Sequence, residues 1–226
     1  MSHLINKPLI RLKSYCEKEQ FKGWDPYDGL NSKVFRTIPF LKNSALCRLA
    51  VIQGFKRSPV NLRPLALVPK EYNAKGIGLF LQGYCNLYKA VIEDSSLEKD
   101  FGTSESLLEQ IHQLAQLLMS LQSKGYSGAC WGYNFDWQAR RLFLFPKYTP
   151  TVVATNFCAT ALMDAYEVMK EKKYVCGCLI DLYSFISYNL LLLFFSYVLE
   201  LFKILKGITP YKYKTMMIHY CYFHFH

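Results

Sequence analysis

The sequence lacks any run of basic residues, although its formal net charge is +10. The densest basic stretches are "QARR" at 138–141 and "KEKK" at 170–173, and the other Lys and Arg residues are scattered along the chain. Scattered positive charge attracts polyanions only weakly, and the usual nucleic-acid-binding motifs are missing. We therefore expect no specific nucleic-acid partner.

The short motifs of several common enzyme classes are also missing. The chain contains no G-x-S-x-G, no glycine-rich phosphate loop and no H-E-x-x-H. The glycines of "GIGLFLQG" at 76–83 have the wrong spacing for a phosphate loop and follow no predicted strand. These absences argue against serine-hydrolase, nucleotide-binding and zinc-protease sites, and no motif indicates a cofactor.

Closely paired cysteines are scarce among the eight in the chain. Only Cys176 and Cys178 are near each other, and C-x-C is tighter than the usual zinc knuckle. The remaining thiols lie mostly alone in apolar stretches, which is typical of reduced cysteines in a cytosolic protein. The closing "HYCYFHFH" combines His and Cys, but we interpret it as a chance cluster and expect no metal site.

A signal-peptide core is not found in the first twenty residues, so we expect a cytoplasmic protein. The chain does contain enough apolar sequence, 51%, to bury a sizeable core. Its composition changes near residue 174, after which 13 of 52 residues are Tyr or Phe and none is Arg. This change divides the chain into a domain at 1–174 and an atypical aromatic-rich tail at 175–226.

Between Leu182 and Leu199 the tail runs for 18 residues without a charge. That length just suffices for a membrane span, and Lys residues flank it on both sides. Three interpretations of the tail stay open: a membrane-associated helix, a genuine buried helix, and an altered terminus. A frameshift in an AT-rich gene would yield the Tyr, Phe, Lys and Ile bias seen there.

Helical periodicity dominates the first part of the chain. Apolar residues at 107, 111, 114, 118 and 121 alternate spacings of four and three, which predicts a helix over 104–124. Thr103 or Ser104 is the expected N-cap. A second strong helix is predicted at 156–170, capped by Thr155 or Asn156. Others are predicted at 8–20, 43–56 and 75–93, the last with glycines that permit close packing. Alternating strands are hard to find, so we predict an all-α fold of antiparallel helix pairs.

Two loops share a mixture of aromatic and acidic residues: "GWDPYDGLNS" at 23–32 and "WGYNFDWQARR" at 131–141. All three tryptophans of the chain fall in them. Indole faces pair with the C–H faces of sugar rings, and carboxylates and amides bind hydroxyls, so the pattern favours carbohydrate recognition. Each loop taken singly also fits a structural role, in which aromatic side chains anchor the loop and Asp25 stabilises the turn at Pro26.

The first loop, followed by "CWGYNFDWQARRLFLFPKYTPTVVATNFCATALMDAYEV", resembles a family of α/α-toroid proteins. These are similar to six-hairpin glycosidases and often accompany surface-polysaccharide biosynthesis genes. The resemblance covers roughly residues 5–174. It implies a toroid of antiparallel helical hairpins with both loops at one end. Because the chain is too short for a full ring, we expect an incomplete, truncated toroid.

Sugar hydrolysis or epimerisation needs one group to donate a proton and another to accept one. The predicted catalytic residues are therefore Asp25, Asp28 and Asp136. The predicted substrate-binding residues are Trp24, Tyr27, Asn31, Trp131, Tyr133, Asn134, Trp137, Gln138, Arg140 and Lys147. We expect a carbohydrate-active or carbohydrate-binding protein whose partner is a saccharide or polysaccharide precursor. The alternatives are a non-catalytic scaffold of a polysaccharide assembly system and an inactive, truncated family member.

Overall fold

A computed structural model describes residues 2–140 and 143–174, so the predicted tail at 175–226 lies outside the described residues. The described residues are mostly helical, which confirms the all-α class, and every predicted helix is found. The helices are α1 (Ser2–Lys18), α2 (Lys33–Thr37), α3 (Pro39–Asn43), α4 (Ala45–Arg57), α5 (Ala74–Glu93), α6 (Glu98–Phe101), α7 (Ser104–Ser120) and α8 (Val152–Met169).

The starts of the two strongest helices differ in how well the sequence predicts them. Helix α7 begins after Thr103, whose side chain caps it as expected. Helix α8 begins four residues earlier than predicted, because Thr151 is its N-cap and accepts a hydrogen bond from the Ala154 N–H. The predicted cap at Thr155 or Asn156 is wrong. Both residues lie in the first turns of α8, and the Thr155 hydroxyl contacts the loop before it.

A short hairpin includes the end of the second aromatic loop, and it was not predicted from the sequence. Strand β1 (Trp137–Ala139) pairs antiparallel with β2 (Phe143–Phe145), so that Trp137 lies opposite Phe145. Their rings stack with centroids 5.3 Å apart. Strands of three residues are too short to show the alternation by which strands are detected in sequence.

The main core lies between α5, α7 and α8, and their directions follow from the contacts between them. Gln82 of α5 donates to Asp164 of α8 at 2.9 Å, and Lys89 pairs with Glu167 at 3.2 Å. Residue numbers rise together, so these two helices run parallel. Helix α7 runs antiparallel to α8, because the carbonyl of Leu118 contacts the loop that precedes α8 whereas His112 contacts Tyr174 beyond its end.

Helix α1 packs antiparallel to α5 through polar and aromatic contacts. The Tyr84 hydroxyl donates to Glu17 at 2.7 Å, and the ring of Phe21 lies 5.4 Å from that of Phe80. Burial raises the pKa of Tyr84, and the adjacent Glu17 carboxylate raises it further, so the phenol keeps its proton. Consequently, the C-terminal end of α1 lies at the same end of the bundle as the start of α5.

A second, smaller core supports the first aromatic loop. Leu30, Phe35 and Ile52 form its buried centre, so the loop, α2 and α4 pack on one another. Gly29 lies in close contact with the Phe55 ring of α4, where an added Cβ would be 3.2 Å from that ring. The first loop is therefore held by its own apolar cluster as well as by the main bundle.

Two glycines of α5 should respond differently to replacement by alanine. An added Cβ at Gly83 meets no atom within 4 Å, so Gly83→Ala should raise the free energy of unfolding by about 1 kcal/mol. At Gly78 the added Cβ would lie 3.3 Å from the Phe157 carbonyl of α8, so the expected close packing applies there. In Gly78→Ala this close contact should cancel the gain in helix propensity, so the free energy of unfolding should not rise. Urea unfolding of both variants measures the difference. Equal gains in stability would contradict the α5–α8 packing.

None of the helices in 2–140 and 143–174 is long and apolar enough to cross a membrane. The candidate span between Leu182 and Leu199 lies outside these residues. The element order establishes a mostly helical architecture for the described residues, whereas a toroidal arrangement of the helices stays a proposal.

Candidate functional site

Three connecting segments meet at one end of the bundle, where α1 and α7 end and α5 and α8 begin. They are residues 19–32, 58–73 and 121–151, and we call this region the loop end. The two aromatic loops, expected at one end of a helical fold, do lie together: Asn31 Nδ2 donates to the Asn134 carbonyl at 2.9 Å. The middle segment, which the sequence analysis did not single out, lies between them.

The first loop is ordered by its own aspartate. Asp25 Oδ1 accepts from the Tyr27 N–H at 2.9 Å, which is the expected turn at Pro26. The Trp24 indole N–H donates to the carbonyl of Val68 at 3.0 Å, and Gly23 forms a two-way backbone bridge with Glu71. These contacts join the first loop to the middle segment and fix the direction of the indole ring.

Asp28 is engaged in a buried ion pair and does not face a cleft. Arg63 Nε donates to Asp28 Oδ1 at 2.7 Å, and the two side chains are 12% and 4% exposed. Burial raises the pKa of Asp28, with the bonded Arg63 guanidinium opposing that effect. Arg63 also donates to the Asp25 carbonyl at 2.8 Å. The predicted catalytic role of Asp28 therefore finds no geometric support, since this carboxylate holds the loop together.

Glu71 is the point at which the three segments meet. Its Oε2 accepts hydrogen bonds from the side-chain amides of Asn31 and Asn134, both at 3.3 Å. The side-chain oxygen of Asn31, Oδ1, accepts a hydrogen bond from the Arg36 guanidinium at 2.7 Å. Two of the predicted substrate-binding residues, Asn31 and Asn134, thus converge on a carboxylate that the sequence analysis did not name.

A cleft of about 320 Å³ opens beside this junction. Its aromatic lining consists of Phe21, Trp24 and Phe80. Its polar lining consists of Asp25, Glu71, Asn73, Lys75 and Asn134. Of the thirteen predicted site residues, Trp24, Asp25 and Asn134 therefore line it, and a cleft with aromatic walls and a few placed polar groups suits a small polar ligand.

The N-terminus of α5 meets the cleft through Asn73. The side-chain oxygen of Asn73 caps the helix, and its amide donates to Asp25 Oδ2 at 3.1 Å. Burial raises the pKa of Asp25, an effect larger than the opposing influence of the Tyr27 N–H and the charges of Arg63 and Lys75. A carboxyl group with a raised pKa at a cleft is suited to donate a proton.

A second, more open depression of about 360 Å³ lies on the other side of Trp24 and Asp25. It is bordered by Arg63 and by Lys56, whose ammonium donates to the Tyr27 hydroxyl at 2.6 Å. Tyr27, predicted to bind substrate, is thereby engaged with α4. The cleft near Glu71 is the better candidate site, because its polar groups come from all three segments of the loop end.

Asp136, the third predicted catalytic aspartate, does not line the cleft. Its Oδ1 accepts from the Lys147 backbone N–H at 2.8 Å, and its Oδ2 lies 3.8 Å from the Arg36 guanidinium. The Lys147 side chain is exposed and lies over the Tyr148 ring. Asp136 therefore does not share the cleft with Asp25, and Glu71 is the second carboxylate that lines it.

The remaining tryptophans have different environments from Trp24. Trp131 is fully buried, with 0% exposure, and its indole N–H donates to the Leu118 carbonyl at 2.8 Å. This side chain belongs to the core, so no sugar can stack on it. Trp137 is 39% exposed and stacks on Phe145 in the hairpin. The three tryptophans that share one sequence pattern therefore occupy a cleft wall, a core and a hairpin surface.

Three other predicted binding residues support the second loop. Gln138 is buried and donates to the carbonyls of Arg140 and Phe143, both at 3.0 Å, across the hairpin turn. Arg140 is exposed in that turn with a φ of 49°. Tyr133 is half-buried, stacks on the Phe135 ring at 5.3 Å, and has its pKa raised by burial and then by the nearby charge of Asp25.

Four residues in or just after the middle segment were not predicted from the sequence: Arg63, Glu71, Asn73 and Lys75. One local signal existed, since Asn73 stands directly before the predicted helix at 75–93 and is a favoured N-cap. No local pattern marks Arg63 or Glu71, whose partners lie 35 and 40 or more residues away. Only the tertiary arrangement places them in the site.

The described residues contain no cluster of three or more His, Cys, Asp or Glu side chains that could hold a metal ion. No protein-family model matches the chain, and neither a curated protein nor a solved structure matches it. The assignment of a function therefore depends on the residues of the cleft themselves.

Proposed function

We propose that this protein binds a saccharide in the cleft between Trp24 and Glu71, and is carbohydrate-binding or carbohydrate-active. The observation that carries the proposal is the joining of aromatic, carboxyl and amide side chains from three segments in one cleft. Aromatic faces supply apolar contact area, while carboxylates and amides satisfy hydroxyl groups. Lys70 lies over the Trp24 ring, 4.8 Å from its centroid, so ligand stacking falls to the opposite indole face.

A catalytic role would use Asp25 and Glu71. Glycoside hydrolysis and epimerisation both require a proton donor and a proton acceptor. Burial raises the pKa of Asp25, which suits the donor, and Glu71 lines the same cleft. Asp25 was predicted to act in this way, and Glu71 replaces Asp28 and Asp136 as its partner in the proposal.

An incomplete α/α toroid is the proposed architecture. Helices α5 and α8 run parallel, and α7, which lies between them in the sequence, runs antiparallel to both. This alternation is the relation expected of successive helices in a ring of hairpins. Large apolar side chains of the helices, such as Leu12, Leu46 and Ile92, the last 61% exposed, lie on the surface of the described part of the chain. Further hairpins would cover such residues, which supports an unfinished ring.

Tryptophan fluorescence can test the site, because the three indoles have such different environments. Titration with a panel of neutral, acidic and amino saccharides should change the wild-type emission, and Trp24→Phe should remove most of that change. Trp24→Phe should also weaken binding by about tenfold, equivalent to about 1.4 kcal/mol, when calorimetry measures it.

Trp137→Phe is the matched control, since this indole stacks in the hairpin outside the cleft. It should keep both the ligand-induced change and the affinity. Thermal unfolding must show that Trp24→Phe is folded, because the variant loses the bond to the Val68 carbonyl. Absence of binding by the wild-type chain to every saccharide would overturn the proposed function.

A further inference from the structure

The charge at the cleft differs from the charge of the whole chain. The sequence carries a net charge of +10, yet the acids Asp25 and Glu71 line the cleft against one cation, Lys75. The Lys75 ammonium lies 4.6 Å from the centroid of the Phe157 ring, so it is also directed towards α8. Asp25 has two cations near it, since both Arg63 and Lys75 lower its pKa.

Glu71, in contrast, is held by neutral groups. Its carboxylate accepts from the amides of Asn31 and Asn134, and within the described residues no Lys or Arg side chain reaches it at salt-bridge distance. Only Oε2 takes part in those two bonds. A carboxylate at a cleft that is solvated by amides and lacks a cation favours a positively charged ligand group.

Asn134 fixes the position of Glu71 at the cleft. It is 7% exposed and lines the same cleft, and its Oδ1 has no hydrogen-bond donor among the described residues. The amide cannot be turned around without setting this oxygen against the Glu71 carboxylate, so the acceptor stays unpaired. This oxygen has almost no surface open to solvent, so a ligand in the cleft does not reach it, and the Asn134 amide serves to hold Glu71 in place.

Aromatic side chains complete the chemistry. Phe21, Trp24 and Phe80 line the cleft, and aromatic faces attract ammonium groups as well as the C–H faces of sugars. A protonated amino group offers N–H donors and a positive charge, which matches the Glu71 carboxylate, whose Oε1 takes no part in the bonds to Asn31 and Asn134. A hydroxyl offers one donor and no charge, and an N-acetyl group offers one donor and more bulk.

From these observations we propose that the cleft selects an amino sugar, whose ammonium group donates a hydrogen bond to the Glu71 carboxylate. The inference rests on the proposed saccharide-binding function and adds the class of saccharide. It also distinguishes the cleft from the second depression, which is bordered by the cations Lys56 and Arg63.

Binding of matched sugars by the wild-type chain tests the proposal. Glucose and galactose are each compared with their 2-amino, N-acetylamino and uronic acid derivatives by saturation-transfer NMR and calorimetry at low salt. The 2-amino sugar should bind at least about tenfold more tightly than the other members of its series. Equal or tighter binding of the neutral or acidic sugars would overturn the inference and leave the saccharide site in place.

Glu71→Gln should reduce the ratio of amino-sugar to neutral-sugar affinity to near one, because glutamine keeps an amide acceptor but loses the charge. Glu93→Gln is the matched control: it removes one carboxylate at the opposite, exposed end of α5 and should keep the wild-type ratio. Should Glu71→Gln fail to fold, the wild-type comparison alone decides. If longer saccharides bind but no monosaccharide amine is preferred, the inference fails. If no saccharide binds at all, the proposed function fails with it.

Discussion

Replacing Arg63 with methionine should lower the free energy of unfolding by about 3–5 kcal/mol, which urea unfolding at pH 7 measures. The change leaves the Asp28 carboxylate, only 4% exposed, without the guanidinium that bonds it at 2.7 Å. It also removes the bond from Arg63 to the Asp25 carbonyl. Arg57→Met is the control, since Arg57 is an exposed residue at the end of α4 and its replacement should change stability by less than about 0.5 kcal/mol.

The loss of stability caused by Arg63→Met should become larger as the pH rises. Burial already raises the pKa of Asp28, and removing the opposing guanidinium raises it further. Some carboxyl groups have a higher pKa in the folded protein than the unfolded value of about 3.9. Such a group contributes less to the stability of the fold as the pH rises from its unfolded pKa to its folded pKa. The deficit should therefore be largest at pH 7 and shrink towards pH 4. Adding Asp28→Asn should recover about 1 kcal/mol or more, and a pH-independent deficit would contradict the buried pair.

Gly132→Ala should be the most damaging small substitution at the loop end, lowering the free energy of unfolding by at least about 3 kcal/mol. The added Cβ would lie 2.2 Å from the Thr149 carbonyl oxygen and 2.7 Å from the Tyr148 carbonyl carbon. These are backbone atoms, and hydrogen bonds on both sides of Gly132 hold their segment in place. The Tyr148 N–H donates to the Tyr133 carbonyl, and the Thr151 N–H donates to the Trp131 carbonyl. Relief therefore requires the two backbone segments to separate.

Gly23→Ala is a closely matched control for Gly132→Ala. Both glycines form isolated backbone bridges, Gly23 with Glu71 and Gly132 with Pro150. At Gly23, however, the added Cβ meets no atom within 4 Å. Gly23→Ala should be neutral or stabilise by up to about 1 kcal/mol, by restricting the unfolded chain. Similar thermal unfolding of both variants would show that the 131–133 and 148–151 segments are not as close as described.

The helices could be predicted because their cores repeat along the sequence. Leu107, Ile111, Leu114 and Leu118 are all buried in α7, where a period of 3.6 residues places them on one face. The start of α8 could not be predicted as well, since Thr151, Thr155 and Asn156 are all competent caps. A tertiary contact favours Thr151 as the N-cap, because the Thr155 hydroxyl is engaged with the backbone of Trp131 inside the helix.

The candidate site was predictable only in part. Aromatic and acidic residues marked the two outer loops, and Trp24, Asp25 and Asn134 do line the cleft. Composition alone cannot separate a tryptophan at a cleft from one in the core, and Trp131 is in the core. Nor can it show that Asp28 is neutralised by a residue 35 positions away, or that Glu71 joins both loops. Those facts depend on which segments the helices bring together.

The bond between Asn31 and the Asn134 carbonyl spans 103 positions, and this has a consequence for the order of folding. Contacts between α5 and α7 close shorter stretches of chain and lose less entropy when they form. During synthesis the first loop leaves the ribosome long before its partner at 131–135 exists. The helices can assemble in sequence, but the cleft acquires its shape only at the last docking step, so a nascent chain that has already formed α5 and α7 still cannot bind a ligand there.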